Sequence, residues 1–281
     1  MPLPQTDRIF PSTRVIAAAI IPFLLLAFVI LYFFPQLSGQ RFAWQIQPNV
    51  MAVYMGAGYL GGAYLFVRAL FGRHWHHVAA GFPAVAAFTV GMLLATVLHW
   101  SRFDLRHFPF QLWLVLYILT PILVPWLWLH NRPADPGTAE EHDVFVPAAV
   151  RRGARLLGLG LLTIVVVSFV IPQVLIAVWP WPLTQLLARV LAGWGALIGV
   201  GNLVISGERR WSAWRVGVES IGLWHLLFLV GAIFHSQDFT HGNLFNWYIL
   251  SVIAVLISMA ALYLFMELQR HQGTTRPQPA A

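Results

Sequence analysis

Two short stretches carry side chains with the means to do chemistry. "HWSRFDLRH", residues 99–107, offers His99, Asp104 and His107, and "HSQDFTH", residues 235–241, offers His235, Asp238 and His241. Imidazole and carboxylate are nitrogen and oxygen ligands for a Zn²⁺-type ion, and neutral imidazole also holds haem iron. The second set recurs at i, i+3 and i+6, so a helical turn places His235 and Asp238 on one face. The plainer role for His99 and His235 is to sit at a membrane surface, where amphipathic rings are comfortable, beside Trp100, Phe103 and Phe108.

The elements that must position these residues are apolar. Hydrophobic residues make up 59% of the chain and charged residues 10%, against about 25% charged in a soluble domain. Eight apolar runs are long enough to cross a bilayer as helices, at roughly 14–34, 49–71, 78–100, 110–130, 156–178, 183–205, 212–235 and 246–266. They are continuously apolar rather than alternating, which favours helices over the strands of a barrel. The first run is too long for the core of a signal peptide and has no small-residue cleavage site after it.

All 17 basic residues counted as Lys or Arg are arginine. They cluster at helix ends as topology signals do, so nucleic acid is not the expected partner; the lipid bilayer is. Placing both termini in the cytoplasm puts 13 arginines inside and 4 outside, the bias expected of an inner-membrane, multi-pass protein. Lacking lysine, the chain can form no Schiff base. Lacking cysteine, it can form no disulfide, thiol nucleophile, Fe–S cluster or covalent c-type haem.

The chain also repeats itself. "FFPQL" at 33–37 answers "VIPQV" at 170–174, and Trp44 answers Trp181, at an offset of 137. After one lost residue, Trp75 answers Trp211, His99 answers His235 and Phe103 answers Phe239 at 136. The expected fold is therefore all-α, with eight transmembrane helices in two tandem four-helix repeats of the same orientation. The repeats occupy 1–130 and 151–281, the second with a disordered tail, and a polar cytoplasmic linker spans 131–150. Gly58 and Gly62, matched by Gly195 and Gly199, have GxxxG spacing and predict close helix packing. The second and sixth helices would meet there on the pseudo-twofold axis, unless the same glycines serve a homodimer or another membrane protein.

Positions that break the repeat are the better functional suspects. Glu219, His225, Arg189 and Asn202 correspond to Pro83, Thr89, Ala52 and Leu65. Glu219 is the one acid well inside an apolar run, and an ionisable residue there is a functional hypothesis by default. The competing role is an ion pair with Arg215, four residues earlier. His225 is an inner candidate for haem ligation or a water chain, against a plain hydrogen bond to a neighbouring helix. Arg189 could meet an anionic substrate or headgroup, or simply snorkel to the surface. In helix four, Pro121 and Pro125 have no counterpart prolines, which points to packing rather than a paired broken-helix site.

The segment "WPWPLTQLLARVLAGWG", residues 179–195, resembles one in uncharacterised bacterial multi-spanning membrane proteins. The 4 + 4 arrangement with histidines near helix ends is similar in outline to haem A synthase. That family carries a facing pair of helix histidines in each half, whereas this chain has one shared histidine per half, so its activity is not carried over. Three functions are compatible with these residues. The first is non-catalytic: small-molecule or ion transport, or a membrane subunit of a complex. The second is a redox protein with non-covalent haem at His99, His225 or His235. The third is an outer-face metal-dependent enzyme using His235, Asp238 and His241.

Overall fold

The computed structural model describes residues 6–240 and 243–275, so His241 lies outside the described residues. The described residues are helical with no strands, apart from two isolated bridges, Arg8 to His74 and Phe145 to Arg210. Eight helices are long and apolar enough to cross a membrane: α1 Pro11–Phe33, α2 Asn49–Phe71, α3 His76–Leu98, α4 Phe108–Ala134, α5 Ala148–Val170, α6 Gln185–Ser206, α7 Trp211–Phe234 and α8 Trp247–Gln272. The outward faces of α1, α4, α5 and α8 carry exposed Val29, Ile122, Val166 and Ile257, a surface suited to lipid rather than water.

Most helix positions follow the apolar runs, with one clear exception. The expected fifth span, 156–178, divides into α5 and a short helix Pro172–Val178. Pro172 lacks the N–H that would continue the ladder, and α5 instead begins eight residues earlier, ahead of Arg151, Arg152 and Arg155. Those charges conceal a helix start from a hydropathy reading. Pro121 and Pro125, by contrast, lie inside a continuous α-helix.

The most buried helix is α2, which has small residues along much of its length. It packs on α1 and on α7, while α6 packs on α5 and on α3; α4 lies on α3, and α8 on α7. The halves are thus joined by two main crossings, α2 on α7 and α3 on α6, and the first turn of α3 also packs on α7. At the first, a Cβ on Gly61 would lie 2.9 Å from the Ser220 carbonyl oxygen; at the second, one on Gly91 would lie 3.0 Å from Gly193 Cα. Such approaches admit glycine only. Ser220 donates to the Gly61 carbonyl (2.8 Å) and Trp224 Nε1 to Tyr54 O (3.1 Å) across the α2–α7 seam, and the Tyr32 hydroxyl of α1 donates to Leu227 O (2.9 Å) of α7 beside it.

The GxxxG expectation needs correction at this point. Gly58 makes room for the Trp194 and Trp224 rings, Gly62 faces Leu24 of α1, and Gly195 and Gly199 face Val165 and Leu162 of α5. These glycines do serve close packing, but they do not face one another across α2 and α6. The space above Gly58 is filled by an indole ring, which keeps the two backbones apart.

At the end holding residues 130–147 and 207–212, the loops are clamped by Arg210, which is almost fully buried. Its guanidinium donates to both Asp135 oxygens at 2.7 Å and to Glu208 at 2.5 and 3.0 Å. Burial alone would raise both carboxyl groups, but the hydrogen bonds and charge of Arg210 outweigh it and hold both below the ordinary carboxylate range. A depressed folded value contributes stability that is complete above the unfolded value, about pH 4, and is lost as pH falls through the folded values. Arg210→Gln should therefore cost about 3 kcal/mol near neutral pH and flatten the acid limb of the stability profile. Detergent-solubilised thermal melts between pH 3 and 7 would show both effects, and an unchanged melt would refute the clamp.

Candidate metal centre at the linker face

The same end of the molecule holds a cluster of histidines and carboxylates. Asp7 belongs to the segment before α1. Its N–H donates to Ala134 O (2.8 Å) and its carbonyl accepts from Trp75 N (2.8 Å), which pins it against the α2–α3 connection. It is buried and has a positive φ of 49°, a conformation uncommon outside glycine but tolerated by Asp. So placed, Oδ1 accepts from the His76 backbone N–H (3.2 Å) at the start of α3, and Oδ2 lies 2.5 Å from His76 Nδ1 and 3.0 Å from His74 Nδ1. Glu140, from the linker, closes the group. Its Oε1 is 2.6 Å from His77 Nε2, 3.5 Å from His76 Nε2 and 3.8 Å from His74 Nδ1.

The donor atoms of Asp7, His74, His76 and Glu140 all lie within 4.8 Å of one another. Four donors around one Zn²⁺-type ion at 2.0–2.1 Å stand roughly 3.3 Å apart, so this spacing needs little adjustment to receive a cation. A mixed nitrogen and oxygen set without sulfur suits Zn²⁺ or another divalent first-row ion.

Electrostatics point the same way. Asp135, Glu208, Glu219 and Glu267 each have an arginine partner. Among the described residues, no arginine pairs with Asp7, Glu140 or Asp143; their partners are His74, His76, His77 and Ser212. Burial would raise the Asp7 carboxyl, but the hydrogen bond and charge of His76 hold it below its ordinary value. Both ring nitrogens of His76 face oxygens, Nδ1 toward Asp7 and Nε2 toward Ser212 Oγ at 2.9 Å. The Ser212 hydroxyl donates to Asp143 Oδ2 at 2.5 Å. Its single proton is therefore not presented to the imidazole, and Asp7–His76–Ser212 is not arranged as a nucleophilic triad.

The structure disperses the residues that break the repeat. Glu219 accepts from Arg68 Nη1 (2.9 Å), Arg215 Nε (3.0 Å), the Tyr263 hydroxyl (3.1 Å) and, through a very short bond, the Tyr64 hydroxyl. It is thus the anionic centre of a ring that ties α2, α7 and α8 together. His225 Nδ1 donates to Ile221 O (2.8 Å) of its own helix, and its ring packs on Trp224. Asn202 likewise donates to Ile198 O. Arg189 bridges the halves: Nε donates to Phe169 O (3.0 Å) and Nη1 to His99 Nε2 (2.8 Å). Burial first, then the Arg189 and Arg102 charges, push the His99 imidazole below its ordinary value.

The ligand set expected at the outer face is in part engaged elsewhere. Asp238 Oδ2 accepts from Val50 N (2.8 Å) and so caps α2 from the other half. His235 Nδ1 stands 3.9 Å from the same oxygen and has no hydrogen-bond partner. Asp104 accepts from Arg106 N within its own exposed turn, and His107 donates to Phe42 O. The cluster at Asp7, His74, His76 and Glu140 escaped the sequence reading, although "RHWHH" at 73–77 packs three histidines into a break between apolar runs.

Comparison of the chain with known protein families, with curated proteins and with solved structures gives no match.

The Glu219 ring predicts a structural outcome. Glu219→Leu would leave Arg68 unneutralised and Arg215 with only the longer 3.6 Å pair to Glu267, and should cost about 3 kcal/mol. Glu219→Gln should cost less, and combining it with Arg215→Gln should recover part of the loss. Thermal melts of the four proteins in detergent measure this; strictly additive losses would show that the pair is not coupled.

Proposed function

We propose that the protein is a multi-pass inner-membrane protein whose function is to bind a divalent metal cation at the cytoplasmic face, where the linker meets both halves. The observation that carries this reading is the convergence of Asp7, His74, His76 and Glu140 without arginine partners. The binding is non-catalytic in this proposal, and it suits a membrane subunit or a metal-responsive scaffold better than an alternating-access transporter. The space between the halves supports that preference. It is filled by Tyr54, Trp194, Trp224 and Phe228, with the Trp194 and Trp224 rings 4.8 Å apart, and Trp224 is bonded to the facing backbone.

The tandem-repeat reading, with both units in the same orientation, rests on the matched sequence positions and is supported by local geometry. His99 and His235 both end a helix with φ near −117° and ψ near 29°, and each leads into a 3₁₀ turn. Asp7 and Asp143 each accept from the first turn of a helix, at His76 N and Ser212 N. His76 and Ser212 are 136 positions apart and touch, as repeat-equivalent residues on a twofold axis would.

Metal binding is tested on the purified chain, stripped with chelator and titrated with Zn²⁺. One ion per chain is expected, with affinity falling about tenfold or more in His74→Ala and Glu140→Gln, and unchanged in His235→Ala. Failure to bind, or equal binding by all variants, would remove the proposal. Topology is tested separately by introducing single cysteines, since the chain has none. Ala139→Cys should resist an impermeant thiol reagent added outside and Ser101→Cys should react; the reverse pattern would invert the orientation.

A further inference from the structure

A long apolar cleft lies in the first half, where α1 and α4 diverge over α2 and α3. It runs along α4 from Pro109 to Val124, about 22 Å at 1.5 Å per residue, which exceeds the depth of one leaflet of a hydrocarbon core about 30 Å thick. It is partly open, and Leu26 at its edge is exposed, as suits an opening toward lipid.

The walls specify what fits. They are apolar side chains such as Phe23, Ala27, Phe88 and Leu116. The polar side chains that interrupt them are already satisfied: Thr89 donates to Ala86 O, Thr120 to Leu116 O, Trp113 to Thr96, and the Tyr59 and Tyr117 hydroxyls pair at 3.1 Å. No unmet hydrogen bond in the wall calls for a polar occupant. The exception is at the mouth. Arg41, in the loop after α1, lines the cleft, is exposed, and lies 5.8 Å over the Phe34 ring. Among the described residues no carboxylate pairs with it. The repeat-equivalent position is Val178, so the second half offers no such charge.

An apolar slot of acyl-chain length with an unneutralised guanidinium at its outer end selects a chain that carries an anion at one end. We propose that this cleft holds an acyl chain of an anionic glycerophospholipid, with the headgroup phosphate on Arg41. The site is independent of the metal centre, which lies at the other end of the molecule.

Native mass spectrometry of the protein released from mixed phosphatidylglycerol and phosphatidylcholine micelles tests this. The wild-type protein should retain the anionic lipid about fivefold over the zwitterionic one, the effect of one arginine near a membrane surface. Arg41→Gln should abolish the preference while leaving Zn²⁺ stoichiometry unchanged, and because Arg41 is exposed the variant should fold. Arg41→Lys should keep most of the preference. Leu116→Trp, which fills the slot, should lower retention of both lipids. Equal retention of the two lipids by the wild type, or a preference that survives Arg41→Gln, would overturn the assignment. A lipid-free mass of two chains would overturn it in favour of a second copy as occupant.

Discussion

Hydrocarbon cannot hydrate a polar group, and nearly every specific contact in this protein answers to that constraint. The four donors around Glu219, the Arg189 bridge to His99 and Phe169, and the indole and hydroxyl bonds across the α2–α7 seam all supply from protein what water would supply elsewhere. Apolar contacts alone would not choose one helix arrangement over another, because lipid tails offer equivalent surroundings. The arrangement is chosen where backbones touch at Gly61 and Gly91 and where polar side chains find one acceptor and no other.

This places the cluster at Asp7, His74, His76 and Glu140 in relief. Asp135, Glu208 and Glu219 are instead neutralised by arginine at fixed distances, which yields stability and little else. Here the chain puts carboxylates against imidazoles, groups that exchange protons and bind metals near neutral pH. Between the halves, by contrast, the space is filled by aromatic rings.

The apolar runs and arginine placement made the eight helices readable, since length and continuity of hydrophobicity are one-dimensional properties. The break at Pro172 was masked because the charged first turns of α5 displaced the apparent run. Half of the Glu219 environment was visible as Arg215 at i−4, whereas Arg68, Tyr64 and Tyr263 come from other helices and could not be paired by spacing. The candidate metal cluster draws on residues 7, 74, 76 and 140, contacts that only the turns at one end of the molecule bring together. The glycine motif showed where packing is close but could not name its partner, because a tryptophan ring competes with a backbone for the same groove.

The four donors have an unequal ancestry within the chain. All precede α5, while Ser212, which engages the far side of His76, is the second half's contribution. A ribosome delivers the chain from its N-terminus, so Asp7, His74, His76 and Glu140 have all emerged before the fifth helix is made. The second half then follows and packs on the far side of His76 through Ser212. For the proposed metal site, all four donors are therefore synthesised before the helix that carries Ser212, an order written into the sequence itself.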